Sequence, residues 1–171
     1  MITIRSEEPA DVEVIHSIQK SAFPTGAEAH LVDRLREEGK LALSLIAEVG
    51  KGVVGHVAFS PVSVEPQSPA KRGLGLGPVA VQPEWQRKGI GEQLIMRGIE
   101  DCRRDGYSYM VVLGEPEYYG RFGFRRASMF GLGNEYGVDD PFMALELNLG
   151  GLPKVPGIIK YVKVFSEVMD G

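Results

Sequence analysis

Between residues 73 and 104 a strand-like apolar run, GLGLGPVAV, passes through QPEWQRKGIG into EQLIMRGIEDCRR. A strand that turns tightly into a helix and is followed by another strand-like run reads as a β-α-β crossover. The run YSYMVVL at 107–113 supplies the returning strand. Pro83 ends the first strand, and Gly89-Ile90-Gly91 opens a helix over 89–104 with Leu94, Ile95, Gly98 and Ile99 along one side.

The rest of the chain is read around that unit. Residues 1–5 form a short strand. Pro9–Ala22 carries Val12, Ile15 and Ile18 at helical spacing, with the proline suited to a first turn. A second amphipathic helix runs over Ala27–Glu38 with Leu31, Val32 and Leu35 on one side, and Gly39 stops it. LALSLIAEV and GVVGHVAFSPVSV, joined by Gly50-Lys51-Gly52, read as a hairpin. Residues 65–73 are a polar loop. After 113 come a helical turn at Pro116–Arg121, the strand FMALELNL at 142–149, and a tail over 150–171 in which GIIKYVKVF (157–165) adds a further strand. An antiparallel meander flowing into β-α-β implies a mixed sheet flanked by helices, of α/β or α+β class.

Length suits a single domain over residues 1–171. Nineteen basic residues stand against 23 acidic ones, for a net charge of −4, which argues against a sequence-independent nucleic-acid binder. One cysteine excludes an intramolecular disulfide framework and a cysteine-rich metal site, and no metal is expected. MITIRSEEPADVEVI places acidic residues where a signal peptide needs an apolar stretch, and no run of about 18 apolar residues occurs. A cytoplasmic protein without membrane partners is the expectation.

The turn PEWQRKGIG combines features that suit an anion. The first N–H groups of a helix lack partners inside it, and with the helix dipole they favour a negative charge by about 0.3–1 kcal/mol at exposed positions. Gly89 and Gly91 remove side chains that would hold a phosphate off the backbone, and Arg87 and Lys88 add cations. A basic, glycine-containing start to a solvated helix is the other reading. The P-loop pattern G-x-x-x-x-G-K-[ST] and the dinucleotide pattern G-x-G-x-x-G are both absent here.

The stretch does resemble the acyl-CoA-binding motif of the GNAT superfamily of N-acetyltransferases, V-x-P-x-x-[QR]-x-x-G-x-[GA], with Val81, Pro83, Gln86, Gly89 and Gly91 filling its positions. YYGRFGF at 118–124 is similar to a second family signature, a tyrosine shortly before Gly-Phe. GHVAFSPV and LGEPEYYGRFGF look most like a bacterial subgroup of predicted acyltransferases. The resemblance covers nearly the whole chain. It implies a mixed, mostly antiparallel sheet of about seven strands with about four flanking helices.

It also implies acetyl-CoA as cosubstrate, with its pyrophosphate on the amides of Gln86, Arg87, Lys88, Gly89, Ile90 and Gly91. The pantetheine arm would run along Val79, Ala80 and Val81. Gly73, Gly75 and Gly77 would suit close approach of another backbone, although a twisted or bulged strand accounts for Gly73 and Gly75 equally. The reaction implied is direct attack of an amine on the thioester. A lysine-like amine of pKa near 10.4 is neutral in only about one molecule in two thousand at pH 7, so a proton must be removed. The oxyanion needs donors, and the departing thiolate needs a proton or a hydrogen bond.

Tyr119, four residues before Gly123, matches the family tyrosine and would serve the sulfur, with Tyr118 as the neighbouring assignment. The general base stays open among His56, Glu115, Glu48 and water. His56 shares a face with Val54 and Ala58 and reads more readily as a core histidine than as a base; Glu115 reads more readily as a solvated loop carboxylate. His16 and His30 lie on the first two helices, which line the acceptor site in the resembled family. An asparagine that many members carry upstream of the tyrosine has no counterpart among Val112, Leu113 and Gly114. Cys102 continues the apolar stripe of its helix and reads as structural. Arg103-Arg104 and Arg125-Arg126 are solvated pairs or contacts to the 3′-phosphate, and Trp85 packs beside the turn.

The segment MFGLGNEYGVDDP offers aromatic and acidic residues to a cationic amine by analogy of fold. Dimerisation is common among such domains, and no feature of the sequence decides it. The alternatives to an N-acetyltransferase are a non-catalytic acyl-CoA-binding domain and a protein-interaction module on the same scaffold.

Overall fold

The computed structural model describes residues 1–66 and 71–169, so residues 67–70 of the expected loop lie outside the described residues. Its strands are β1 (Ile2–Ser6), β2 (Leu43–Val49), β3 (Gly52–Glu65), β4 (Gly73–Val81), β5 (Tyr109–Leu113), β6 (Arg125–Arg126), β7 (Leu132–Asn134), β8 (Phe142–Glu146) and β9 (Gly157–Tyr161). The helices are α1 (Val12–Ala22), α2 (Ala27–Glu37), α3 (Ile90–Arg104), α4 (Pro116–Gly120) and α5 (Lys163–Met169). The chain divides into two compact units, one of Met1–Ser60, Gly77–Glu100 and Val162–Gly171, the other of Pro61–Leu76 and Asp101–Tyr161.

In the first unit β1, β2 and the start of β3 form an antiparallel meander, with Ile2 opposite Val49 and Val49 opposite Gly52. The two-residue turn Gly50-Lys51 closes the hairpin, with Gly50 at φ +61°. Ile15 of α1 and Val32 of α2 pack with Ile46 and Ala58 of the sheet. Ile15, Val32 and Ile46, removed from water, each contribute about 1.5–3 kcal/mol. Helix α2 ends as its sequence requires: Gly39 turns left-handed at φ +68°, and the Lys40 and Gly39 N–H groups donate to Leu35 and Arg36 carbonyls at 2.8 and 3.2 Å.

The tail departs from expectation. Only Gly157–Tyr161 is a strand, and Lys163–Met169 is helical. Val164 and its neighbours Phe165 and Val168 pack on Leu31 and Leu35 of α2, an i, i+1, i+4 stripe that a strand would split between two faces.

In the second unit β5 lies parallel to Gly73–Leu76 of β4, from Gly73 opposite Tyr109 to Leu76 opposite Val112, as the crossover demands. On its other side β5 pairs antiparallel with β8, and β8 with β6. The end of β3 pairs with β9, which runs parallel to β7. Tyr109, Val111, Phe142, Ala144, Leu132 and Ile159 form its core. Strand β8 stops at Glu146, three residues short of expectation, because the Glu146 carboxylate takes the Gly150 N–H at 2.7 Å and the chain turns there.

Candidate functional site

The turn between β4 and α3 is built by local contacts. Trp85 N–H donates to the Gln82 carbonyl at 2.8 Å and Gln86 N–H to Pro83 at 3.3 Å, winding Pro83–Trp85 into a single 3-10 turn. The Gln86 side-chain amide donates to the Val81 carbonyl at 2.9 Å and ties the loop to the strand it leaves. Arg87 then sits at φ +63° and Gly89 at φ +81°. A left-handed non-glycine residue costs roughly 1–3 kcal/mol and is kept where its surroundings demand it. Arg87 is the only non-glycine residue with positive φ among the described residues.

That geometry has a chemical result. The N–H groups of Arg87, Lys88 and Gly89 donate to no other described residue, and those of Ile90 and Gly91 belong to the helix's open first turn. Buried Ile90 and Leu94 fix the start of α3, while Arg87, Lys88 and Gly89 are exposed. Successive unpaired N–H groups at the start of a 15-residue helix, flanked by two cations, form a concavity for a phosphate-type anion.

On β4 the ladder to β5 ends at Leu76, and Pro78 cannot donate, so among the described residues Val79–Val81 pair with no strand on that edge. Ala80 is buried, whereas Val79 and Val81 are half-buried. Close backbone approach at Gly73 and Gly75 is corrected by the structure. A Cβ at Gly73 would stand 2.2 Å from the Tyr109 ring, and one at Gly75 would stand 2.8 Å from Tyr161, so these glycines admit aromatic side chains. Gly77, at φ +129°, has open space beside it.

Tyr119 lies on α4 in an aromatic cluster. Its ring meets Tyr118 edge-on at 5.0 Å and Phe124 at 5.8 Å, and it occupies the space beside Gly114, where a Cβ would lie 2.2 Å from it. Gly114 stands in the neighbourhood where the family asparagine was expected, and its missing side chain is what admits the tyrosine. Burial is the main cause that pushes the Tyr119 hydroxyl up to about 12, and the hydroxyl bonds to no other described residue. Tyr118 lies under the Arg121 guanidinium at 4.7 Å. Glu115 is exposed, and its carbonyl receives the Tyr119 N–H at 3.0 Å.

His56 is the core histidine of its two readings. It is fully buried, and both ring nitrogens are engaged. The Gln19 amide can only donate to Nδ1, at 2.8 Å, so the proton sits on Nε2, which donates to Ser44 Oγ at 2.7 Å. Ser44 in turn donates to the Glu7 carboxylate, which Arg36 holds at 2.9 and 3.0 Å. Desolvation by burial, opposed by Glu7, lowers the His56 pKa to about 3, and no lone pair is left for a substrate.

Glu48 is bound to Arg5 at 3.3 Å. His16 Nδ1 pairs with Asp33 at 2.7 Å, and His30 is exposed. Cys102 is 1% exposed, and burial pushes its thiol up to about 12, the setting of a structural side chain. Arg103 donates to the Leu147 carbonyl at 2.7 Å, Arg104 pairs with Asp101 at 3.2 Å and Arg126 with Asp140 at 3.3 Å. Trp85 is half-buried beside the turn. Among the described residues no group of three or more His, Cys, Asp or Glu side chains is arranged to hold a metal ion, and no helix is long and apolar enough to cross a membrane.

Known proteins are similar to this chain in sequence and fold. YhbS of Escherichia coli K12, an uncharacterized N-acetyltransferase, is 36% identical over 166 residues, or 96% of this chain and 98% of its own. YjhQ of the same organism, also an uncharacterized N-acetyltransferase, is 36% identical over 124 residues, 71% of this chain and 68% of its own. The crystal structure of E. coli YhbS in complex with CoA superposes with a TM-score of 0.91 at 35% identity, covering 96% of this chain and 92% of that one. A GNAT family acetyltransferase from Brucella melitensis in complex with acetyl-CoA gives a TM-score of 0.79 at 34% identity, covering 96% and 98%. The model of the acetyltransferase (GNAT) domain spans residues 3–127, taking in the meander, the strand-turn-helix at 73–104 and Tyr119, and the chain therefore belongs to the GNAT acetyltransferase family.

Proposed function

We propose that this protein is an acetyl-CoA-dependent N-acetyltransferase that moves the acetyl group directly to a primary amine. The observation that carries the reading is the turn after Trp85, where the N–H groups of Arg87, Lys88 and Gly89 stand unpaired and Arg87 is held at φ +63°. The CoA and acetyl-CoA bound in the E. coli and Brucella relatives support it. The pyrophosphate rests on the amides of Gln86–Gly91, with Arg87 and Lys88 supplying charge. The free edge at Val79–Val81 takes the amide groups of the pantetheine arm, as an added strand would.

The departing thiolate is served by Tyr119. A hydroxyl of pKa about 12 is a poor acid toward a thiol near 8.5. That difference of ~3.5 units makes full transfer uphill by about 5 kcal/mol, so Tyr119 acts as a hydrogen-bond donor to the sulfur. Glu115 is the carboxylate assigned to removing the amine proton, directly or through water. Cys102, buried and protonated, takes no acyl group. The protein works in the cytoplasm on this reading, where a single buried thiol stays reduced.

Calorimetric titration with CoA, together with thiol release from acetyl-CoA against a panel of primary amines, tests the proposal. Saturable binding with amine-dependent release is expected. Binding without release across the panel would leave a non-catalytic acyl-CoA domain, and absence of binding would remove the reading altogether. Tyr119→Phe should lower turnover at least tenfold with CoA affinity retained; loss in Tyr118→Phe instead would move the role one residue back.

A further inference from the structure

The second unit holds a half-open pocket of about 300 Å³ between β6, β8 and the chain after β8, made by residues that the proposed acetyl-transfer site does not use. Its walls are apolar, from Phe130, Ala144, Leu145 and Leu152, with one cation and one anion added, Arg125 and Glu146. This is the composition of small-molecule sites: mostly apolar surface with a few placed polar groups.

The two charges are placed differently from others nearby. Arg126 is paired with Asp140 and Arg103 is bound to a carbonyl, but Arg125 makes no ion pair or hydrogen bond with another described residue. Glu146 is oriented by the Gly150 N–H on Oε1 at 2.7 Å, which leaves its other oxygen uncommitted, and it does not pair with Arg125. In the β6–β8 register Arg125 stands opposite Ala144. Glu146 is two residues further along the same strand face, a rise of about 7 Å. One small molecule carrying a carboxylate and an ammonium group can span that gap. A simple anion would meet the Glu146 carboxylate, and a simple cation the Arg125 guanidinium. Gly123, without a side chain, keeps that wall of the cavity open.

We propose that this cavity binds a zwitterionic α-amino acid with an apolar side chain. Its carboxylate lies on Arg125, its ammonium group on Glu146, and its side chain against Phe130 and Leu152. The proposal rests on the second unit's own residues and is independent of the acetyl-transfer reading.

Isothermal titration of the full chain with L-leucine and L-phenylalanine, without any thioester, tests it. Saturable binding at about 1 mM or tighter is expected for at least one of them. Leucinamide, lacking the carboxylate, and N-acetyl-leucine, lacking the cation, should each bind at least fivefold more weakly. Arg125→Gln should weaken the amino acid at least fivefold and erase its advantage over leucinamide. Glu146→Gln, whose amide oxygen can still accept the Gly150 N–H, should erase the advantage over N-acetyl-leucine. Both positions are exposed, and a circular dichroism melt identical to wild type checks the fold. No binding of either amino acid, equal binding of the blocked forms, or an Arg125→Gln variant that binds like wild type would overturn the assignment.

Discussion

Replacing His56 by glutamine should flatten the pH dependence of stability between pH 7 and pH 5.5. Burial holds the His56 pKa at about 3 in the folded protein, against 6.5 in an unfolded chain. Well above pH 6.5 the ring is neutral in both states and titration contributes nothing. As the pH falls below 6.5 the unfolded chain takes up a proton that the folded protein refuses, so stability declines with acidification, by up to about 1.4 kcal/mol per pH unit. Integrated from pH 7 to pH 5.5, the loss is about 1.2 kcal/mol. With an unfolding entropy of about 2.1 cal/mol/K per residue, 171 residues give about 0.36 kcal/mol/K, and the loss appears as a fall of about 3 °C in Tm.

The window is chosen so that the carboxylates stay silent. Asp11 and Glu7 both have lowered pKa values, Asp11 through Arg5, and Glu7 because its bonds to Arg36 and Ser44 outweigh a large opposing desolvation. Their contribution is present above the ordinary values, 3.8 for Asp11 and 4.5 for Glu7, and is lost only at lower pH. His16 and His30 remain in both proteins, so the difference between wild type and His56→Gln isolates the buried ring. Calorimetric Tm values at pH 7.0 and 5.5 decide the matter. The variant starts less stable because the chain from Gln19 to Glu7 is cut, but only its slope matters. Parallel pH profiles would show that His56 is solvated or charged in the folded protein, and the placement of its proton on Nε2 would fall with them.

Gly98→Ala places a Cβ 2.2 Å from the Phe59 ring, and should cost about 1–3 kcal/mol in urea denaturation despite the better helix former. Gln86→Ala removes the brace on the Val81 carbonyl at 2.9 Å, and should weaken CoA binding several-fold by calorimetry while Tm moves by less than about 3 °C. Gly114→Ala pushes the Tyr119 ring off its seat, and should reduce thiol release as far as Tyr119→Phe does. Cys102, at 1% exposure, should resist alkylation by iodoacetamide at pH 8 in the folded protein and react within minutes in guanidinium, which mass spectrometry reads directly.

What could be read from the chain before any coordinates divides according to how far apart the interacting residues lie. The turn after Trp85 was legible because the hydrogen bonds that wind it, from Trp85 to Gln82 and from Gln86 to Pro83 and Val81, are local, with only Gln82 tied to the distant Val54 carbonyl. Gly39 and the hairpin at Gly50-Lys51 were legible for the same reason. Gly73 and Gly75 were misleading because a glycine in a strand signals only that something comes close. The something proved to be Tyr109 and Tyr161, each supplied from far along the chain. For His56, alternation with Val54 and Ala58 identified the face, but the choice between base and core depended on Gln19 from α1 and Ser44 from β2. The tail residues Val164, Phe165 and Val168 fit a strand or a helix until α2 is present to receive them. Arg125 was legible only as half of a basic pair, and Glu146 escaped notice; they acquire a shared role only when β6 is laid beside β8. Backbone sites can therefore be inferred from a local pattern, whereas a side chain's chemistry is decided by its partners. That is why the proposed phosphate turn can be phrased in named amides, while the acceptor's base must be sought by substitution at Glu115.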